Sequence, residues 1–391
     1  MNISRVRKDF PVLESQAYLN SAATGPLLSH VKKAVVDWWD AREGLQYVDL
    51  PNARGEVAKL IHCQEESVAL VHRASQGVNI VSGLVQPGKG ENIVLTDLSY
   101  PSSVYPWIGY QGQGTEIRRI RNRDGVINLS DFEDAIDDKT KIVCLNRVEW
   151  TSGLRHDVRA ITEIAHEHAA LVLDDAFQAV GAVDVDVSKE DVDFLVFGGE
   201  KWMCSSGRAA ALYVNPRHME EYEPSYRFYW RVYENFQWSY APWDKPVHDN
   251  IESWEGPLVK TAERFDPGCV GEDAQCGFHA SLKYFNGLEI DNIEKRVLSL
   301  SEYLMDGLND LGLKVNTPYE KEQRAGIVTY TNDSYEDNVK SYEAMANEGV
   351  MVAHRYTGGV GGIRVSPHFF NTKEEIDRVL ETQKQIQRNG R

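Results

Sequence analysis

The chain has 391 residues, 42% of them hydrophobic and 26% charged, which is ample for a large core and unlike a disordered composition. Its formal net charge of −17 argues against nucleic acid or an anionic membrane surface as partner. No apolar stretch approaches the length of a membrane span.

Met1 to Pro11 is charged and lacks an apolar centre, so no secretory signal is read there. The five cysteines (Cys63, Cys144, Cys204, Cys269, Cys276) show neither a CxxC pair nor zinc spacing. An odd, scattered set predicts reduced thiols, a cytoplasmic protein and no metal site.

Strand-like and helix-like runs alternate from about residue 30 to residue 215. The runs at 68–71, 93–95, 142–145, 171–173, 194–197 and 210–214 are short and apolar, as in strands buried on both faces. Helical patterns lie between them, for example at 129–136 and 158–168. This predicts an α/β domain over residues 15–274, a mostly parallel central sheet with helices on both faces. After Asn215-Pro216 the pattern changes, and residues 222–243 are rich in tyrosine, tryptophan and phenylalanine. Such a segment suits a subunit interface, a wall of the substrate pocket, or both.

From about residue 274 the chain is helix-rich. Ser334 starts one helix that Gly349 can end, and Asn371-Thr372 starts the last, with Ile376, Val379 and Leu380 on one face. Strand patterns at 325–330 and 362–366 make this a smaller C-terminal α+β domain, residues 275–391, joined by the N-terminal arm 1–14.

Two residues at strand ends carry the chemistry. Asp175 closes one apolar run and Lys201 follows another, 26 residues later. Ligands of an open parallel sheet bind at the carboxyl ends of its strands. A lysine and a carboxylate there match the needs of pyridoxal 5′-phosphate (PLP): a covalent lysine and a counter-ion for the pyridine nitrogen. The cofactor also needs phosphate donors and a stack for its ring. Ala74-Ser75-Gln76-Gly77 opens a helix after a strand, where free N–H groups favour an anion; Ser75 is expected to cap it and donate its hydroxyl. Tyr100 is the aromatic best placed for the ring. Gln178, expected one helical turn past Asp175, would reach the phenolic oxygen. Arg364 interrupts an apolar strand, which is costly unless it is paired. Its fork suits a substrate carboxylate, with a structural salt bridge as the alternative.

These segments together resemble the class V aminotransferase family of fold type I PLP enzymes, the group of cysteine desulfurases, selenocysteine lyases and isopenicillin-N-epimerase-like proteins. The resemblance spans nearly the whole chain. It is carried by segments 18–26, 72–79, 175–181, 199–202 (Gly-Glu-Lys-Trp), 264–268 and 364–372. It implies a PLP-binding transferase fold, Arg364 on the substrate carboxylate, and a homodimer in which residues 264–269 approach the neighbouring cofactor. Cys269 stands near a common phosphate-binding threonine.

The departures are specific. Desulfurases carry a catalytic cysteine before the closing arginine, whereas residues 350–362 contain none. The usual histidine before the lysine is Glu200, and the usual serine three before it is Gly198. Trp150 replaces an active-site asparagine, and Pro101, next to Tyr100, replaces a stacking histidine. The expected function is therefore PLP chemistry at the α-carbon of an amino acid. C–S β-elimination on a cysteine-derived substrate larger than cysteine is favoured, with transamination and epimerisation as alternatives. A nucleotide-binding α/β protein lacks support, since no GxGxxG or GxxxxGK[ST] follows the first strands.

Overall fold

The structure, a computed structural model, describes residues 1–224 and 257–389. Most of the aromatic stretch 222–243 lies outside the described residues. Tyr222 lies within them and packs on His218 and Phe194.

The chain opens with α1 (Ile3–Val6), β1 (Ala17–Tyr18), α2 (Ser29–Glu43) and α3 (Ala53–Leu60). Alternation follows: β2 (Val68–Val71), α4 (Ala74–Val85), β3 (Asn92–Thr96), α5 (Pro101–Ile108), β4 (Glu116–Ile120), α6 (Leu129–Ala135) and β5 (Thr140–Asn146). It continues through α7 (Val158–Glu167), β6 (Leu171–Asp175), α8 (Val187–Glu190), β7 (Phe194–Gly198) and β8 (Ala210–Val214). Strands β2 to β8 form one sheet in the order β2-β8-β7-β6-β5-β3-β4. It is parallel except at β8, which runs antiparallel to both its neighbours.

Successive residues of these strands enter different cores because side chains alternate across a sheet. Val94, Val143, Leu145, Leu195 and Phe197 pack with α3, α7 and α9 (Glu272–Leu288). Ile93, Leu95, Ile142, Cys144, Phe194 and Val196 pack with α4. Both faces are thus covered, and the six expected apolar runs are six of the strands. β4 escaped the sequence reading because it is an edge strand: Glu-Ile-Arg-Arg-Ile buries fully only Ile120.

The second lobe holds α10 (Ile290–Asp310), β9 (Lys314–Val315), β10 (Val328–Thr331), α11 (Tyr335–Asn347), β11 (Val350–Met351), β12 (Ala353–Thr357), β13 (Val360–Val365) and α12 (Lys373–Asn389). β12-β13-β10-β9 form an antiparallel sheet, and β11 pairs with β1. The 274/275 boundary falls inside α9, so the lobes share a continuous helix there. Ser334 caps α11 by accepting the Asp337 N–H at 3.1 Å, and Gly349 follows it at φ +68°. β12 was not read because Ala-His-Arg-Tyr-Thr has no apolar run.

Residues directly paired across antiparallel strands share a face. Thr329, Arg364 and Ala353 therefore lie on one face, with Arg355 beside them. That face meets the main lobe: Thr329 donates to the Thr151 carbonyl at 2.5 Å and Arg364 to the Trp150 carbonyl at 2.8 Å. Tyr330 and Ile363 face the other way, into the core shared with α10 and α12.

The turn Glu149–Gly153 is the seat of this contact. Gly153 has φ +76°, and a Cβ there would stand 2.5 Å from the Ile327 carbonyl oxygen. A Gly153→Ala variant should lose roughly 1–3 kcal/mol of stability through the strained φ and the forced shift. A thermal melt should show a transition several degrees lower; an unchanged melt would show that the lobes relax around the methyl.

Candidate active site

The carboxyl ends of β5, β6 and β7 lie side by side, at Asn146, Asp175 and Gly198, next to the point between β3 and β5 where the strand order reverses. Asp175 is buried at the end of β6. One of its oxygens accepts the Ser103 hydroxyl and the other the Phe177 N–H at 3.1 Å. Burial raises its pKa; the hydrogen bonds from Ser103 and Phe177 and the charge of Lys201 oppose that rise. Asn146 donates to the Ser103 oxygen at 3.3 Å and accepts the Tyr100 N–H at 2.8 Å, so one amide fixes both residues.

Lys201 follows β7. Its Nζ stands 4.1 Å from the Phe177 ring centre and 5.2 Å from that of Tyr100. Burial pushes its pKa down to about 8; Asp175 resists that shift and Arg364 adds to it. Tyr100 meets Trp150 edge to face at 5.4 Å. Trp150 offers its carbonyl to Arg364, while its own buried Nε1 has no partner among the described residues.

Arg364 has no ion pair among the described residues, so the salt-bridge alternative is not what the structure holds. Its Nε is buried without a partner, and burial, followed by the charge of Arg355, pushes its pKa down to about 9. A buried guanidinium with an idle donor is poised to accept an anion.

Two expectations need correction. Ser75 does not cap α4: Arg73 occupies the cap position and Ser75 lies one step inside the helix. Gln76 instead reaches back, its side-chain oxygen accepting the His72 N–H at 3.0 Å. The first-turn N–H groups of Ala74 and Ser75 still lack intrahelical acceptors, as at any helix start. Gln178 does not sit on a helix: Ala179 and Val180 N–H both bond the Ala176 carbonyl in a turn. Its amide is engaged, Nε2 donating to the Ala22 carbonyl at 3.0 Å and Oε1 accepting Trp202 Nε1 at 2.8 Å. Gln178 is therefore a strut between the opening segment and the lysine loop, and the second N–H of its amide is not used by any hydrogen bond among the described residues.

Residues 264–269 divide. Arg264 and Asp266 are buried in their own chain, where Asp266 accepts the Leu70 N–H at 2.9 Å and pairs with Arg54. Cys269 is exposed on the loop before α9. Sequence reasoning missed Ser103, Asn146 and Phe177. Asn146, a polar residue ending a buried strand at the ligand edge, was the readable signal.

The departures around the lysine have physical partners. Glu200 pairs with Arg73 at 3.1 Å beside the start of α4. A Cβ at Gly198 would stand 2.9 Å from Phe177 Cζ, so a serine there would require the phenylalanine ring to shift. The residues present fit PLP: Lys201 for the covalent link, Asp175 for the ring nitrogen, Tyr100 for the ring and the start of α4 for the phosphate.

The description aminotransferase class-V belongs to the family model that matches residues 17–235 and 250–379. A probable cysteine desulfurase of Methanothermobacter thermautotrophicus is 26% identical, covering 99% of this chain and 98% of that protein. An uncharacterized aminotransferase of Bacillus subtilis is 26% identical, covering 96% of this chain and 95% of that protein. Among solved structures, a cysteine desulfurase from Thermococcus onnurineus superposes with a TM-score of 0.84 at 22% identity, over 98% of each chain. A cystine C–S lyase in complex with its product cysteine persulfide gives a TM-score of 0.82 at 20% identity, over 96% of this chain and 98% of that one. The structural likenesses show the fold.

Only the neutral amine of Lys201 can attack an aldehyde. With its pKa near 8, the rate of PLP uptake should rise with pH and level off above about pH 8. Stopped-flow absorbance across pH 6 to 11 checks this; a rise centred near the ordinary lysine value of 10.5 would contradict the buried setting.

Proposed function

Because this chain belongs to the aminotransferase class-V family, we propose that it is a PLP enzyme that cleaves the C–S bond of a cysteine-derived amino acid by β-elimination. When bound, the cofactor supplies an electron sink for the pair left at the α-carbon. Asp175 would hold a proton on the ring nitrogen, which keeps that sink deep. Ser103 and Asn146 orient Asp175 and Tyr100. Arg364 would take the α-carboxylate with its idle Nε. Lys201 is the base for the α-proton, since its lowered pKa leaves much of the amine neutral near pH 8. The sulfur then leaves with a proton, and the remainder of the amino acid ends, with one water, as pyruvate and ammonia.

The observation that carries the lyase reading is the β12–β13 hairpin. Residues 350–362 hold no thiol to receive sulfur, so the sulfur departs on the substrate's own substituent. The relatives named cysteine desulfurase support chemistry on a cysteine framework. We also infer a cytoplasmic homodimer. Exposed Trp39, Leu45 and Tyr47 on and after α2 support a covered apolar surface, and the scattered cysteines support a reducing compartment. Among the described residues no helix is long and apolar enough to cross a membrane.

The purified enzyme should release pyruvate and thiol in equal amounts from S-alkyl-cysteines. Lys201→Ala should lower kcat/KM by about 10²–10⁴-fold, the usual worth of a positioned acid–base group. An enzyme that releases no pyruvate from any cysteine conjugate, yet converts its PLP to the amine form, is a transaminase and overturns the lyase reading.

A further inference from the structure

We propose that Arg73 is the cation that binds the cofactor's phosphate, and that Glu200 is the positioning residue that holds its guanidinium at the start of α4. This deepens the reading above and rests on PLP binding at Lys201. Asn52, Asp157, Asp186 and Ser334 each close the start of a helix by accepting a backbone N–H on the side chain. At α4 the cap position is held by Arg73, and no side chain accepts there. Arginine carries five N–H donors and no acceptor. It therefore adds donors to a helix end that already offers only donors.

The charge also has the wrong sign for a helix standing alone. A helix start carries the positive pole of the dipole, which favours anions and disfavours a cation. Glu200 supplies one negative charge, with Oε1 3.1 Å from Arg73 Nη1. The Glu200 side chain is 21% exposed and that of Arg73 56%, so the carboxylate is the anchored partner and the guanidinium stands out from it. Nη2 faces Gly207, where a Cβ would stand 3.9 Å away and meet nothing else within 4 Å beyond its chain neighbours. Room for a ligand oxygen therefore lies beside a second nitrogen of the fork.

A phosphate monoester carries a charge of about −1.5 to −2 near pH 7. Beside the start of α4 it meets the carboxylate of Glu200, which repels it. The rest of the lysine segment offers no relief: Gly198 has no side chain, and the Lys201 amine is turned to the rings of Phe177 and Tyr100. Arg73 is the residue whose own backbone opens the helix, so its guanidinium lies within one side chain's length of the first-turn N–H groups of Ala74 and Ser75. A guanidinium can give one nitrogen to a carboxylate and another to a phosphate oxygen. Bridged in this way, Glu200 orients the phosphate's cation instead of merely opposing the phosphate.

The test separates the phosphate from the ring. The full chain, freed of cofactor, is titrated with PLP and with pyridoxal, which lacks the phosphate, and the absorbance change gives a Kd for each. Arg73→Gln should weaken PLP at least about tenfold, a difference of 1.4 kcal/mol, and leave pyridoxal unchanged. Arg73→Lys keeps the charge and should lose less. Glu200→Gln keeps an acceptor for the guanidinium but removes the negative charge, so it should bind PLP no more weakly than wild type. A merely structural ion pair gives a different pattern, in which breaking it from either side does equal harm. Unchanged pyridoxal binding also shows that a variant has kept its folded site. PLP binding by Arg73→Gln within about twofold of wild type would overturn the assignment. Equal weakening of PLP by Arg73→Gln and Glu200→Gln, or equal weakening of PLP and pyridoxal by Arg73→Gln, would do the same. A wild-type chain that takes up neither PLP nor pyridoxal would instead remove the PLP reading, and this inference with it.

Discussion

The site depends on an imbalance of buried charge. Asp175 and Arg364 are buried and Lys201 is half-buried between them, so two cations meet one carboxylate. Burial alone disfavours every one of the charged forms, and the pKa shifts record this: the carboxyl moves up, the amine and the guanidinium move down. A folded chain tolerates such an arrangement only where the surroundings fix it and where anions later complete it. The imbalance is local, since the chain as a whole carries −17. It makes the cleft a positive hollow in an acidic protein, which suits a small anionic substrate.

Holding that imbalance takes backbone as well as side chains. The opening segment runs beneath the lysine: Gly25 N–H donates to the Glu200 carbonyl at 2.8 Å, and a Cβ on Gly25 would overlap the Lys201 carbonyl oxygen. Ser366, just past Arg364, accepts the Ala22 N–H at 3.1 Å. His368 donates from Nε2 to the Trp202 carbonyl at 2.7 Å while its Nδ1 accepts the Phe369 N–H, so it is neutral, and burial pushes its pKa down to about 3. The motifs at 18–26, 178, 201–204 and 364–371 are thus one hydrogen-bonded unit around the lysine. Within that unit His368 and Gln178 tie the lysine loop to the segments on either side of it.

Much of this was legible because buried strands announce themselves. The apolar runs located β2, β3 and β5 to β8, and the residues at the ends of β6 and just past β7 fell at the ligand edge by topology. Alternation also separates neighbours that composition cannot. Asp174 and Asp175 are adjacent acids on β6, yet Asp174 points to the other face and pairs with buried Arg147, while Asp175 takes Ser103 and faces Lys201. What stayed hidden lacked a periodic signal. The strand 353–357 has no alternation because one face packs on α11 with tyrosine and histidine and the other carries buried Ala353 and exposed Arg355. Ser103 and Phe177 act through contacts across the fold, 72 residues apart in the case of Ser103 and Asp175, and no local window contains both partners.

The departures from the desulfurase pattern are coupled rather than scattered. Phe177 packs its face against the Lys201 amine and stands in the space a side chain at 198 would enter. Losing the hydroxyl at 198 removes one neutral donor from the neighbourhood of α4. An acid at 200 would add a negative charge there, but Glu200 is matched by Arg73 at the cap position of the same helix. The pair keeps the helix start electrically open to an anion, because the dipole and the first-turn N–H groups act without an unpaired carboxylate beside them. The same logic governs the other end of the cleft. There the relay thiol is absent, and the hairpin that precedes Arg364 presents an arginine in the sheet face instead.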